Sequence, residues 1–176
     1  MGKATQVVTA VGHRLRAFAI GQYRFPRLEQ AWCDAAYWLH ESLSEKRDAI
    51  AIAKLETALE VLTCAENTRG SEIRLQKILA AFYSLQADVP LTPDSETTAK
   101  QFAKRIVRDR SRILHGTWST LNPRIGMDRA GLERFVIEVI RRAAVELDGY
   151  AQVLDARDDI TDFLSWVEQK ARASRP

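Results

Sequence analysis

Residues 27–67 read RLEQAWCDAAYWLHESLSEKRDAIAIAKLETALEVLTCAEN, with neither glycine nor proline. Leu28, Trp32, Ala35 and Leu39 recur at helical spacing, and Ile52, Leu55, Leu59 and Leu62 repeat the pattern. Ser42 and Glu45 stand in capping-box spacing, which predicts two helices divided near Ser42–Ser44. One continuous helix satisfies the same periodicity. Either way the stretch is helical throughout, and it sets the fold class as all-α.

Working outward, Thr68-Arg69-Gly70-Ser71 reads as a stop and a new N-cap, after which Leu75, Ile78, Phe82 and Leu85 mark a third helix ending before Pro90. Leu91-Thr92-Pro93-Asp94 predicts the start of a fourth, with Pro93 in its first turn, running to about Leu114 and stopping at Gly116. Gly116–Asp128, with Asn122-Pro123 and Gly126, reads as a loop. A fifth helix carries Leu132, Val136, Val139, Ile140, Ala143 and Leu147, and a short one carries Ile160, Phe163, Leu164 and Val167. Residues 1–26 are apolar, basic and punctuated by Gly12, Gly21 and Pro26, and read as an arm that packs loosely or touches a partner. The expected organisation is thus an N-terminal arm (1–26), a bundle of five to six helices (27–170) and a basic tail (171–176).

At 176 residues and 46% apolar composition the chain suits one domain with a real core. Only 8 Gly and 5 Pro are present, which disfavours a sandwich or barrel. Net charge is +3, but 19 of the 26 basic residues are arginine, whose planar fork matches phosphate, so a nucleic-acid partner is compatible. Cys33 and Cys64 form no CxxC or Cys/His cluster and read as reduced thiols. His13, Arg14 and Arg16 interrupt the apolar stretch Val7–Ile20, and no run reaches the ~20 apolar residues of a membrane span. The expectation is a soluble cytoplasmic protein. His40-Glu41 is not followed by a second histidine in zincin spacing, no Gly-rich phosphate loop occurs, and His13 and His40 read as surface or packing residues.

Chemistry concentrates in the fourth helix. Lys100, Lys104, Arg105, Arg108, Arg110 and Arg112 surround a single acid, Asp109. A turn of about 100° per residue puts Lys104, Arg108, Arg112 and His115 on one face. Phe102, Ala103, Ile106, Val107, Ile113 and Leu114 take the other. Arg110 falls on the apolar side, so it must meet a carboxylate, reach solvent, or line a cleft or interface. One expected partner is a glutamate of the second helix. His115 closes the helix beside this cluster of cations, where a phosphate would be held, a setting suited to acid–base work on RNA. Trp118 either stacks an unpaired base or folds back on the core, while Trp32, Trp38 and Trp166 lie on apolar stripes.

Arg110-Ser111-Arg112-Ile113-Leu114-His115-Gly116 resembles the R-x4-H motif of HEPN domains, in the RSxxxHG form of the Apea-like branch. The helix AIAKLETALEVLTCA (Ala51–Ala65) is similar to that branch too, and so is the loop and helix after the motif; the resemblance spans roughly Lys46 to Leu147. It implies a small helical bundle, usually a homodimer, whose active members cut RNA without a metal ion or other cofactor, in defence or toxin-type systems with a possible partner protein. Arg110 and His115 correspond to the catalytic pair, and Ser111 takes the polar place beside the arginine, where many members carry Asn, Asp or His. Where some carry a modifiable tyrosine two residues after the histidine, this chain has Thr117.

Arg110 and His115 point about 140° apart on an ideal helix, so bringing them together needs a distorted last turn or a second subunit. Arg108 shares the His115 face and is the rival for the arginine role. The RNA-binding set expected around them is Lys104, Arg105, Arg112 and Trp118. The alternative function is a non-catalytic HEPN dimerisation or RNA-binding module, acting as an adaptor or antitoxin.

Overall fold

A computed structural model describes residues 2–65, 67–119 and 128–173. Among these the chain is an all-α bundle of seven helices: α1 (Lys3–Ile20), α2 (Pro26–Leu43), α3 (Asp48–Leu62), α4 (Thr68–Tyr83), α5 (Ala99–Leu114), α6 (Arg129–Tyr150) and α7 (Ile160–Ala173). The fold class is as the sequence predicts, with one or two helices more.

The stretch 27–67 forms two helices, but not through the expected cap. Ser42 lies inside α2 and donates its hydroxyl to Leu39 O. Glu45 instead accepts from the backbone N–H groups of Lys46 and Arg47, turning the chain into α3. α3 is the centre of the bundle, packed against α2, α5 and α6. Ala49, Ala51, Ile52, Ala53, Leu55, Ala58, Leu59 and Leu62 are all buried, as suits a helix that is apolar nearly all round.

The arm expected at 1–26 is a correction: α1 packs on α6 and α2. Ala10 is buried, and Arg14 bridges Glu29 of α2 (2.9 Å) and Asp148 of α6 (2.8 Å). The charges that argued against packing are what attach the helix. His13 also reaches Asp148, at 2.8 Å, and His40 is exposed on α2. Trp32 is buried and donates Nε1–H to Ile140 O, tying α2 to α6; Trp38 and Trp166 pack half-buried at the core's edge.

Two helix starts also move. Asn67, not the 68–71 run, caps α4 by accepting from Gly70 N. Pro93 starts no helix: the chain from Ser84 loops back so that Leu91 N–H meets Thr97 O and Ala99 N–H meets Val89 O, and α5 begins after Thr98. The reason is a complete capping box, Thr98 Oγ1 accepting from Gln101 N and Gln101 Oε1 from Thr98 N, which satisfies two otherwise unpaired donors. Most of the loop expected between Gly116 and Asp128 lies outside the described residues. The tail expected at 171–176 is helical to Ala173, and its remainder is likewise outside them.

Candidate functional site

The capping box fixes where α5 begins, and its buried apolar residues orient it. Ala99, Ala103, Ile106, Val107 and Ile113 face inward, while Lys100, Lys104, Arg105, Arg108 and Arg112 are exposed. The two-faced helix read from the sequence is therefore present, and its outer face is a row of cations. Leu114 departs from expectation, being 59% exposed.

His115 ends α5, its N–H bonded to Ser111 O at 3.0 Å and its side chain exposed. Gly116 follows with φ +66°, a left-handed conformation that glycine adopts without strain, as expected of a residue closing a helix. The chain then folds back on the helix. Thr117 Oγ1 and Trp118 N–H both donate to Arg112 O, each at 3.1 Å. The Arg112 guanidinium lies 4.9 Å from the Trp118 ring centre, and the ring's remaining surface is half-buried on the core. Of the two readings of Trp118, the folded-back one describes it.

Arg110 points the other way, into the seam between α5 and α3. Its Nη2 meets Glu60 Oε2 at 2.7 Å, and this is the ion pair with the second helix of the 27–67 stretch that the sequence suggested. Glu60 Oε1 in turn accepts from Ser71 Oγ of α4 at 2.9 Å. These groups line a cavity of about 20 Å³, room for one water, together with Glu56 and Thr63. His115 does not line it. The two motif residues are thus on different sides of the helix end, Arg110 inward and His115 outward, while Arg108 shares the outward side with His115. Ser111 is half-buried between them.

Two acids that the sequence reading did not single out sit behind this cluster. Glu56 is 2% exposed, and its carboxyl lies in the cavity wall beside Arg110. Burial, reinforced by the neighbouring Asp109 and opposed by Arg110, holds its carboxyl well above the ordinary range. Asp109 is 1% exposed, with Arg105 Nε at 3.8 Å and Arg108 Nε at 3.6 Å. Burial pushes its carboxyl up against the pull of Arg108 and Arg105. A signal for Glu56 existed: it falls between Ile52, Leu55 and Leu59 on the apolar face of its helix, the same oddity that drew attention to Arg110.

Among the described residues no group of three or more His, Cys, Asp and Glu side chains is arranged to hold a metal ion. Among the described residues no helix is long and apolar enough to cross a membrane. Cys33 and Cys64 are free thiols. The fold and the site define an all-α bundle with a cationic helix that ends in histidine. Comparison of the chain with models of known protein families, with curated proteins and with solved structures finds no match.

Proposed function

We propose that this protein is a metal-independent endoribonuclease of the HEPN type, acting as a homodimer in a defence or toxin-type system. The observation that carries the reading is the end of α5: exposed His115 beside the exposed row Lys104, Arg108 and Arg112, with Arg110 held one turn back. The cations supply a track for the phosphate backbone, and the imidazole supplies acid–base chemistry at its end.

In the proposed reaction a base removes the proton of a ribose 2′-OH, the oxygen attacks the adjacent phosphorus, and an acid protonates the departing 5′-oxygen. One exposed His115 per chain cannot serve both ends of this transfer at once. Pairing two α5 ends about a two-fold axis supplies a second His115, with Arg110 of each chain stabilising the charge that develops on the phosphate. Exposed Leu114, beside His115, gives such a pairing an apolar contact. The need for a 2′-OH makes RNA the cleavable substrate and excludes DNA.

The test is incubation of the protein with mixed RNA in EDTA, followed by analysis of the ends. Products carrying 2′,3′-cyclic phosphate and 5′-hydroxyl, absent with His115→Ala, are expected. Cleavage that requires a divalent metal, or persists in His115→Ala, overturns the reading. The second reading, a non-catalytic RNA-binding or dimerisation module acting as an adaptor or antitoxin, is favoured by one observation: Arg110 is ion-paired to Glu60 in a cavity that His115 does not line.

A further inference from the structure

Arg110 has three carbons of flexible stem, yet its guanidinium is anchored from two other helices. Glu60 Oε2 of α3 takes Nη2 at 2.7 Å, and the partner oxygen Oε1 is itself occupied by Ser71 Oγ of α4 at 2.9 Å. The Ser71 hydroxyl lies 3.0 Å from Asn67 O, at the residue whose side chain caps α4. Asn67, Ser71, Glu60 and Arg110 therefore form a chain of contacts across α4, α3 and α5. The contact to its other oxygen restrains Glu60 from following the arginine. The arginine side chain as a whole is 27% exposed, with Nη2 tethered to Glu60 and Nε buried.

We infer that Glu60, fixed by Ser71, is a positioning residue that presents the free edge of Arg110 to the phosphate of bound RNA. The inference rests on the ribonuclease reading of the same site. A long arginine side chain loses rotamer entropy when it is immobilised. Tethering it beforehand moves that cost out of the reaction, so the benefit appears in turnover rather than in binding. Glu60 touches neither RNA nor the reacting atoms in this scheme; it acts through Arg110.

Two readouts on the full chain test it, RNA cleavage kinetics and nitrogen-15 NMR of the Arg110 guanidinium. The wild type should show hindered rotation of the Arg110 guanidinium, and Glu60→Ala should release it. With the same RNA, Glu60→Ala should lower kcat by about tenfold or more with KM little changed. Glu60→Gln, which keeps its single oxygen acceptor for Arg110 and turns its amide N–H toward Ser71 Oγ, should restore part of the loss, and Ser71→Ala should lose less than Glu60→Ala. A freely rotating Arg110 in the wild type overturns the inference. So does a Glu60→Ala effect that vanishes when kcat is expressed per folded molecule, or a Glu60→Gln no better than Glu60→Ala. Restrained Arg110 in a wild type that cuts no RNA separates the two claims: the ribonuclease reading and the catalytic role of Glu60 then fall, and the tether alone remains.

Discussion

Arg110 of α5 and Glu60 of α3 meet at 2.7 Å on the inner side of the motif helix, one turn before the exposed His115. The contact resolves how a guanidinium can sit on an otherwise apolar helix face. Within the single chain the inward arginine and the outward histidine lie on different sides of the helix end, which is why the proposed reaction calls on a second copy of the chain.

Removing His115 should separate chemistry from folding. The side chain is exposed, so His115→Ala should melt within about 2 °C of the wild type. It should bind RNA with similar affinity and cut none. Thermal melts and filter binding beside the cleavage assay check this, and a collapse of the melting temperature would contradict it.

The exposed Leu114 gives the proposed dimer a handle. Sedimentation of the wild type at micromolar concentration without RNA should show a dimer, and Leu114→Glu should give monomer with unchanged helical content. A wild-type monomer under those conditions contradicts pairing through α5.

The outer row should bind RNA through charge. Lys104→Ala should weaken binding uniformly across sequences and reduce the slope of log affinity against log salt by about 1. Arg108→Ala should do the same, with an added loss of stability, because Arg108 lies 3.6 Å from the buried Asp109 carboxylate. Titrations at several salt concentrations distinguish these from a sequence-specific contact. An unchanged slope would remove the phosphate role.

Glu56 should make stability depend on pH. Its carboxyl is raised in the folded chain by burial, so the folded state holds a proton that the unfolded state releases above about pH 4.3. The stabilisation is full below that value and is lost as pH rises through the folded-state value. The slope is at most about 1.4 kcal/mol per pH unit for one group. Denaturant unfolding across this range should show Glu56→Gln gaining on the wild type as pH rises. Parallel curves would show that Glu56 is not held protonated.

The division between sequence and tertiary structure can be followed residue by residue. The glycine- and proline-free stretch from Arg27 to Asn67, the inward row Ala103, Ile106 and Val107, and the left-handed stop at Gly116 are local matters of periodicity and backbone preference. They were legible without coordinates, and so was the oddity of Arg110. Helix starts were legible only where the right cap was weighed: Thr98 and Gln101 carry a capping box in plain sight, but Pro93 was the louder signal. The basic, glycine-punctuated N-terminal segment reads as an arm because nothing within it pairs Arg14, and only α6 and α2 supply Asp148 and Glu29 to take it up.

What periodicity alone determined is which residues share a helix face. It could not determine what lies opposite that face. Glu60 is fifty positions from Arg110 and Ser71 lies between them in the chain, so their meeting depends on how α3, α4 and α5 pack. The same packing buries Glu56 and Asp109, leaves Leu114 exposed, and pairs Arg110 with Glu60 on the side of α5 away from His115. Helical spacing is a property of neighbours within a turn or two, whereas burial, pairing and the protonation they impose arise between segments distant along the chain, and only the assembled bundle decides them.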